Sequence, residues 1–268
     1  MIPRLLIPVL ACIPCVLSSC ASTPPGAAGV WRNPKDGMQF VRVPPGSLVA
    51  EVPDDAGRTA PQTIAFSEGF WLGRTEVTVG QFRRFVRETG HVSDAEKAGN
   101  RWTWRNPGFP QRDNHPVVYV SYNDARQYCR WAGADLPTEA EWVYACKAGT
   151  STAFPWGDEL DDRYLWHRRN TEGTGTRPVA RKLPNAWGLH DVVGNVREYA
   201  KVGETCFAVR GGSWIRCPAY RGRTGSTFAN LFNEEVAPRL EKCDPRPKYP
   251  PYPWDDDRGF RCLRRVGS

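Results

Sequence analysis

Histidine and methionine are scarce, four and two in 268 residues. His91, His115, His167 and His190 stand alone, so no His-Glu-x-x-His zinc helix can form. No Gly-x-Ser-x-Gly nucleophile elbow and no phosphate-binding loop occurs either. Basic runs are missing as well. The 36 Lys and Arg exceed the 29 Asp and Glu by seven, giving +7, but they are scattered. That pattern reads as a solvated basic surface and excludes a nucleic-acid footprint. The apolar stretch Leu5 to Leu17 is shorter than the about 20 residues a spanning helix requires, and Pro8 and Pro14 interrupt it.

Glycine, proline and tryptophan are plentiful, at 25, 24 and 11. This composition points to a loop-rich fold pinned by aromatic side chains. The length and the 40% apolar content suit one sizeable domain behind a leader. Arg4 followed by the apolar stretch reads as a signal peptide over residues 1–19. It ends Leu17-Ser18-Ser19-Cys20, which resembles a bacterial lipobox: small residues admit the peptidase, and the Cys20 thiol carries the lipid. The alternative is an ordinary signal peptide in which Cys20 is incidental. Residues 20–30, rich in Pro, Gly, Ser and Ala, have little to bury and read as a lipidated tether, leaving 31–268 as the domain. The expected location is exported and membrane-anchored. With Ala21 and Ser22 after the cysteine, it is the outer membrane facing the periplasm if the envelope is Gram-negative.

Of nine cysteines, Cys12 and Cys15 lie in the leader and Cys20 at its end. Cys129, Cys146, Cys206, Cys217, Cys243 and Cys262 remain, enough for up to three disulfides in an exported chain. No Cys-x-x-Cys pair survives past the leader, which excludes a zinc cluster.

Three capping boxes predict helices. Thr78 and Gln81 open the first, with Phe82, Phe85 and Val86 on its apolar face and Gly90 stopping it. Ser121 and Asp124 open the second, with Ala125, Tyr128 and Cys129 inward and Gly133 ending it. Thr138 and Glu141 open the third, with Trp142, Val143 and Cys146 inward and Gly149 ending it. Strands are expected over Met38 to Val43, Ile64 to Leu72, Cys206 to Trp214 with an interruption at the Gly211-Gly212 pair, and Phe260 to Leu263. The Pro-rich run Asn230 to Trp254 reads as a long loop.

Eight segments follow one another in a recognisable order. They are Thr75–Gln81 (TEVTVGQ), Pro116–Ala125 (PVVYVSYNDA), Leu136–Trp142 (LPTEAEW), Pro155–Gly157, Asn185–Asp191, Gly194–Glu198, Arg210–Trp214 (RGGSW) and Gly259–Arg261. Together they resemble the formylglycine-generating enzyme, or sulfatase-modifying factor, family from about Met38 to Arg264. The resemblance implies an α+β, C-type-lectin-like, disulfide-stabilised fold with little regular structure. It also implies calcium held by the carboxylates of Asp191 and Glu198 and the carbonyls of Gly194 and Val196. Arg197 replaces the usual Trp before that Glu and is expected to set a cation beside the loop.

Oxidases of this family hold copper(I) with two cysteines just after the RGGS segment. Aligned on Arg210 to Ser213, those two places are Arg216 and Arg221 here. Guanidinium groups cannot replace soft thiolates, so copper is not expected. Cys217 falls one residue late, and would be catalytic only as a free thiol. The resemblance further implies a Cys129–Cys262 bridge. Cys146 matches a bridged family cysteine whose partner position falls near Thr224, which leaves Cys243 as its candidate partner and Cys206–Cys217 as the third pair.

A cleft carrying Arg216, Arg221, Arg223 and Trp214 would favour an anionic peptide or glycan. The leading expectation is therefore a non-catalytic binding or scaffold lipoprotein. An active formylglycine-type oxidase or related protein-modifying enzyme is the rival, and a diversified ligand-binding protein of the same fold is the third reading.

Overall fold

A computed structural model describes residues 29–53, 59–202, 206–215 and 255–266. All three expected helices form, and each capping box closes in both directions. Helix α1 (Val79–Thr89) is capped by Thr78 and ends on Gly90, whose φ of 69° is the left-handed stop. Helix α2 (Asp94–Lys97) is a short turn with its own box, Ser93 and Glu96. Helix α3 (Tyr122–Trp131) is capped by Ser121 and α4 (Glu139–Lys147) by Thr138. A further turn, α5, spans Arg168–Thr171. The inward face predicted for α4 is too narrow. Val143 is only half-buried, whereas Trp142, Tyr144, Ala145 and Cys146 are all buried, because α4 packs against strands on more than one side.

Nine strands are described. Strands β1 (Val30–Arg32), β2 (Gln39–Val43), β5 (Phe70–Gly73) and β9 (Leu263–Arg265) form an antiparallel sheet in the order β1-β2-β5-β9, so the last strand closes beside the fifth. Strands β3 (Gly46–Pro53) and β4 (Thr59–Phe66) make a hairpin. Strands β6 (Arg197–Val202), β7 (Cys206–Arg210) and β8 (Arg258–Gly259) form a third sheet, with β8 parallel to β6.

Three expected strands need correction. Ile64 to Leu72 is not continuous: β4 and β5 belong to different sheets, and the chain turns between them at Gly69. Gly69 has φ 61°, and a Cβ there would lie 2.3 Å from the Val43 carbonyl oxygen. The strand from Cys206 stops at Arg210, because Gly211 and Gly212 take φ 98° and 72°. The closing strand starts at Leu263, three residues later than expected. Val30, assigned to the tether, is already paired with Val41 in β1. The long loop expected over 230–254 lies outside the described residues.

Side chains alternate across the first sheet. Met38 and Phe40 face Phe82, Phe85, Trp104, Tyr128 and Phe260. Val41, Val43, Phe70, Leu72 and Leu263 face Trp142, Leu189 and Val192 on the other side. Each fully buried side chain of this size stabilises the fold by about 1.5–3 kcal/mol. Cys129 on α3 and Cys262 before β9 meet in the first of these cores with their sulfurs 3.1 Å apart. Cys146 is buried on the opposite side, and burial pushes its thiol well above the ordinary range, so it is an unreactive thiol as it stands.

Candidate functional site

The loop entering β6 is built from left-handed backbone. Asp191, Gly194 and Asn195 have φ of 54°, 91° and 57°, which coil the chain tightly before Arg197. Asn and Asp tolerate this region better than most residues. Gly194 has no substitute, since a Cβ would sit 2.4 Å from the Trp166 carbonyl oxygen. Asn195 ties the coil down. Its N–H donates to Trp166, its side-chain oxygen accepts from the Arg177 N–H at 2.9 Å, and its amide donates back to the Arg177 carbonyl.

Strand alternation then separates two side chains that are neighbours in sequence. Glu198 points into the core and Arg197 to the opposite side. Glu198 accepts from Arg261 Nε and Nη2, both at 2.6 Å, and from the Trp142 indole N–H at 2.8 Å. Arg261 is fully buried and also donates to the carbonyls of Gly73 and His190, each at 3.0 Å. Asp191 Oδ2 accepts the Ala180 N–H at 2.7 Å, whereas its Oδ1 is buried without a partner. Glu76, at the start of the TEVT segment, is completely buried and neither carboxylate oxygen has a partner.

One buried guanidinium is thus paired with Glu198 and feels the charges of Glu76 and Asp191 without touching them. Burial pushes Asp191 up to about 6, opposed by the Ala180 N–H and by Arg261. Burial also holds Glu76 well above the carboxylate range, and the charges of Asp191 and Glu198 raise it further. Arg261 is held above its ordinary value by Glu198, Glu76 and Asp191, against the effect of burial. Burial lowers His190, and the charges of Arg74 and Arg261 add to this against the Lys182 carbonyl, which lies 2.8 Å from Nδ1; Nε2 lies 3.2 Å from Arg74 Nη2. With every acid ionised, the group carries an excess of two negative charges and orphaned carboxylate oxygens. Both Glu198 oxygens are spent on Arg261 and Trp142, so of the two carboxylates expected to hold calcium only Asp191 keeps an oxygen without a partner.

Arg197 does not lie beside this loop as expected. Its guanidinium pairs with Asp257, Nε to Oδ2 at 2.9 Å, and reaches Asp255 at 3.3 Å. Asp257 also accepts from Ser213 Oγ at 2.7 Å. The cation is neutralised on the far side of β6 and does not compete for the loop. Beside this pair, burial and the neighbouring charges of Asp255 and Asp257 raise Asp256 to about 6.

Trp214, expected in a ligand cleft, is only 3% exposed. Its indole N–H donates to the Asp256 carbonyl at 3.0 Å, and its ring packs edge-on against Phe109. It walls the site and offers no open face. Arg210, just before the Gly pair, is buried and ion-paired with Glu139, and burial lowers it to about 9. Arg216, Cys217, Arg221, Arg223, Cys243 and Cys20 lie outside the described residues, as does the Cys206 side chain. Of the expected calcium set, Asp191, Gly194 and Val196 lie on the loop before β6, and Glu198 lies inside β6, where it is paired with Arg261. The structure adds Glu76, Trp142 and Arg261, to which the sequence reading assigned no role. All three sit in the recognised segments TEVT, LPTEAEW and GFR, and a buried charge inside a motif was the available signal.

The chain as a whole matches a known domain. The model of the sulfatase-modifying factor enzyme 1-like domain matches residues 27–266. The chain belongs to that family. Among family relatives, the mouse formylglycine-generating enzyme is 34% identical over 188 residues, covering 52% of this chain and 50% of that protein. The chain thus spans about half the length of that relative. The Streptomyces coelicolor formylglycine-generating enzyme is 35% identical over 68% of this chain and 73% of its own length. The Bos taurus protein called inactive C-alpha-formylglycine-generating enzyme 2 is 30% identical over 90% of this chain and 93% of its own length. Among solved structures, PvdO from Pseudomonas aeruginosa superimposes with a TM-score of 0.66 at 25% identity, covering 89% of this chain and 98% of that one. Treponema denticola variable protein 1, at 18% identity and TM-score 0.56, shares the fold. The family assignment and the loop-rich α+β fold expected from the motifs both hold.

Proposed function

We propose that this family member is an exported protein, lipid-anchored through Cys20, that acts as a binding or scaffold module for an anionic peptide or glycan and not as a copper oxidase. The observation that carries the reading is the pair Arg216 and Arg221, which stand where the family's oxidases place two copper-binding cysteines. Arginine keeps its proton at any physiological pH and offers no lone pair to a soft metal. The same side chains, with Arg223, recognise carboxylate or sulfate through paired N–H donors. A relative named as inactive, aligned over nine-tenths of this chain, supports the absence of oxidase chemistry. In this reading Asp191 and the carbonyls of Gly194 and Val196 hold calcium, and Glu198 joins them by exchanging part of its Arg261 pairing for the ion.

The purified full-length protein, supplied with copper(I) and a cysteine-containing sulfatase-motif peptide, is expected to consume no oxygen and to yield no peptide aldehyde by mass spectrometry. Thiol labelling after mild denaturation without reductant is expected to leave Cys217 unmodified. Turnover, with Cys217 free and binding copper(I), would instead establish the enzyme reading that the formylglycine-generating relatives favour.

A further inference from the structure

The outer margin of the first sheet carries three half-buried indoles, each with a cation over it. Arg42 stands 5.9 Å from the Trp71 ring, Arg264 4.6 Å from the Trp31 ring and Lys35 5.2 Å from the Trp131 ring. The arrangement follows from register. Arg42, Trp71 and Arg264 are direct neighbours across β2, β5 and β9, and so project from one face. Trp31 joins them from β1 by packing on Phe40 at 5.3 Å. The β1–β2 turn is held to the end of α3 by Asn33, whose amide donates to the Ala132 carbonyl at 2.9 Å, which brings Lys35 and Trp131 to the same side. The indoles seal the core beneath with one edge and meet solvent with the other. Glu68, whose carbonyl accepts from Arg42 Nη2, is an acid at the rim.

We propose that this tryptophan–cation face lies against an anionic phospholipid surface. The inference rests on the lipid anchor proposed above, because β1 begins at Val30 and Cys20 precedes it by ten residues. Ten residues reach at most about 35 Å even when fully extended, so the β1 edge cannot leave the neighbourhood of the bilayer. Amphipathic indoles settle at headgroup depth, and basic side chains meet the phosphates there. Each basic side chain near such a surface favours the apposed orientation about fivefold, so Lys35 and Arg264 together favour it about 25-fold, and Arg42, whose Nη1 is buried and whose Nη2 donates to the Glu68 carbonyl, adds less.

The test uses the full-length protein reconstituted into vesicles of phosphatidylcholine with or without phosphatidylglycerol, each carrying lipids brominated near the headgroup end of the chain. With phosphatidylglycerol, about a quarter of the tryptophan emission should be quenched, three indoles of eleven. The quenching should vanish in pure phosphatidylcholine, in about 0.5 M salt, and in the variant Lys35→Glu/Arg42→Glu/Arg264→Glu. The salt titration on the unaltered protein reads the same contact if that variant does not fold. Equal quenching in both lipids, or quenching indifferent to salt, overturns the proposal. So does its absence with phosphatidylglycerol, the result expected if another segment of this chain or a second copy covers the face. Mass analysis of the Cys20 peptide separates the two readings. A lipidated protein without quenching sinks the face alone, and an unlipidated one that still floats with anionic vesicles and is quenched sinks the anchor alone.

Discussion

Replacing Asp191 by Asn should stabilise the metal-free protein at neutral pH. The side chain is buried, one oxygen accepts the Ala180 N–H at 2.7 Å, and the other has no partner. Asn keeps the acceptor, tolerates the φ of 54° and removes the charge. The size of the effect follows from linkage. A carboxyl displaced from 3.8 to about 6 weighs against the folded state by about 3 kcal/mol once it is ionised. Because the folded value is the higher one, the acid's contribution is fully favourable below about pH 4 and is lost as pH rises through about 6. The variant should therefore exceed the parent by about 2–3 kcal/mol at pH 7 and by nothing at pH 4. Comparing the two proteins at each pH cancels the other titrating groups. Urea unfolding in the presence of a chelator, followed by near-ultraviolet circular dichroism from pH 4 to 8, measures the difference. Calcium should reverse the order, stabilising the parent by about 2.7 kcal/mol at a hundredfold excess over its Kd and the variant by much less. A variant less stable than the parent at pH 7 in chelator, or a difference that does not change with pH, would refute the account of an uncompensated buried acid.

Four further outcomes follow from the same geometry. Gly194→Ala should cost about 2–4 kcal/mol in urea unfolding, because its Cβ would collide with the Trp166 backbone at a φ of 91°. Trp142→Phe removes the indole N–H from Glu198 and should cost about 1.5–3 kcal/mol by the same measurement, a charged acceptor losing one of its donors. Non-reducing peptide mapping of the protein purified under oxidising conditions should find Cys129 linked to Cys262. Reduction would then release a loop of 133 residues and lower stability by about 5 kcal/mol on the chain-entropy account. Thr138→Ala removes the cap of α4, which accepts from the Glu141 N–H, and should cost about 1 kcal/mol.

The helices and the family were legible in sequence because each depends on residues close together along the chain. A capping box needs only positions N-cap and N3, so Thr78/Gln81, Ser121/Asp124 and Thr138/Glu141 announced α1, α3 and α4 to within a residue. The same rule would have found α2 from Ser93 and Glu96. Strands were less legible, because their ends are set by distant partners. The Val43 backbone forces the turn at Gly69, and Leu263 becomes strand only where β5 and Asp135 meet it.

The electrostatics of the site belong wholly to the tertiary structure. Glu76, Asp191, Glu198 and Arg261 are spread over 186 positions of sequence, and nothing local says that one buried guanidinium will feel the charges of three acids. Arg197 shows the converse. It is adjacent to Glu198 in the chain, yet strand alternation sends it to Asp257 on the other face of the sheet. Sequence alone determined the local conformations and the family. Folding decided which charges meet and which are left uncompensated, because burial and through-space distance, not order along the chain, set the cost of a charge.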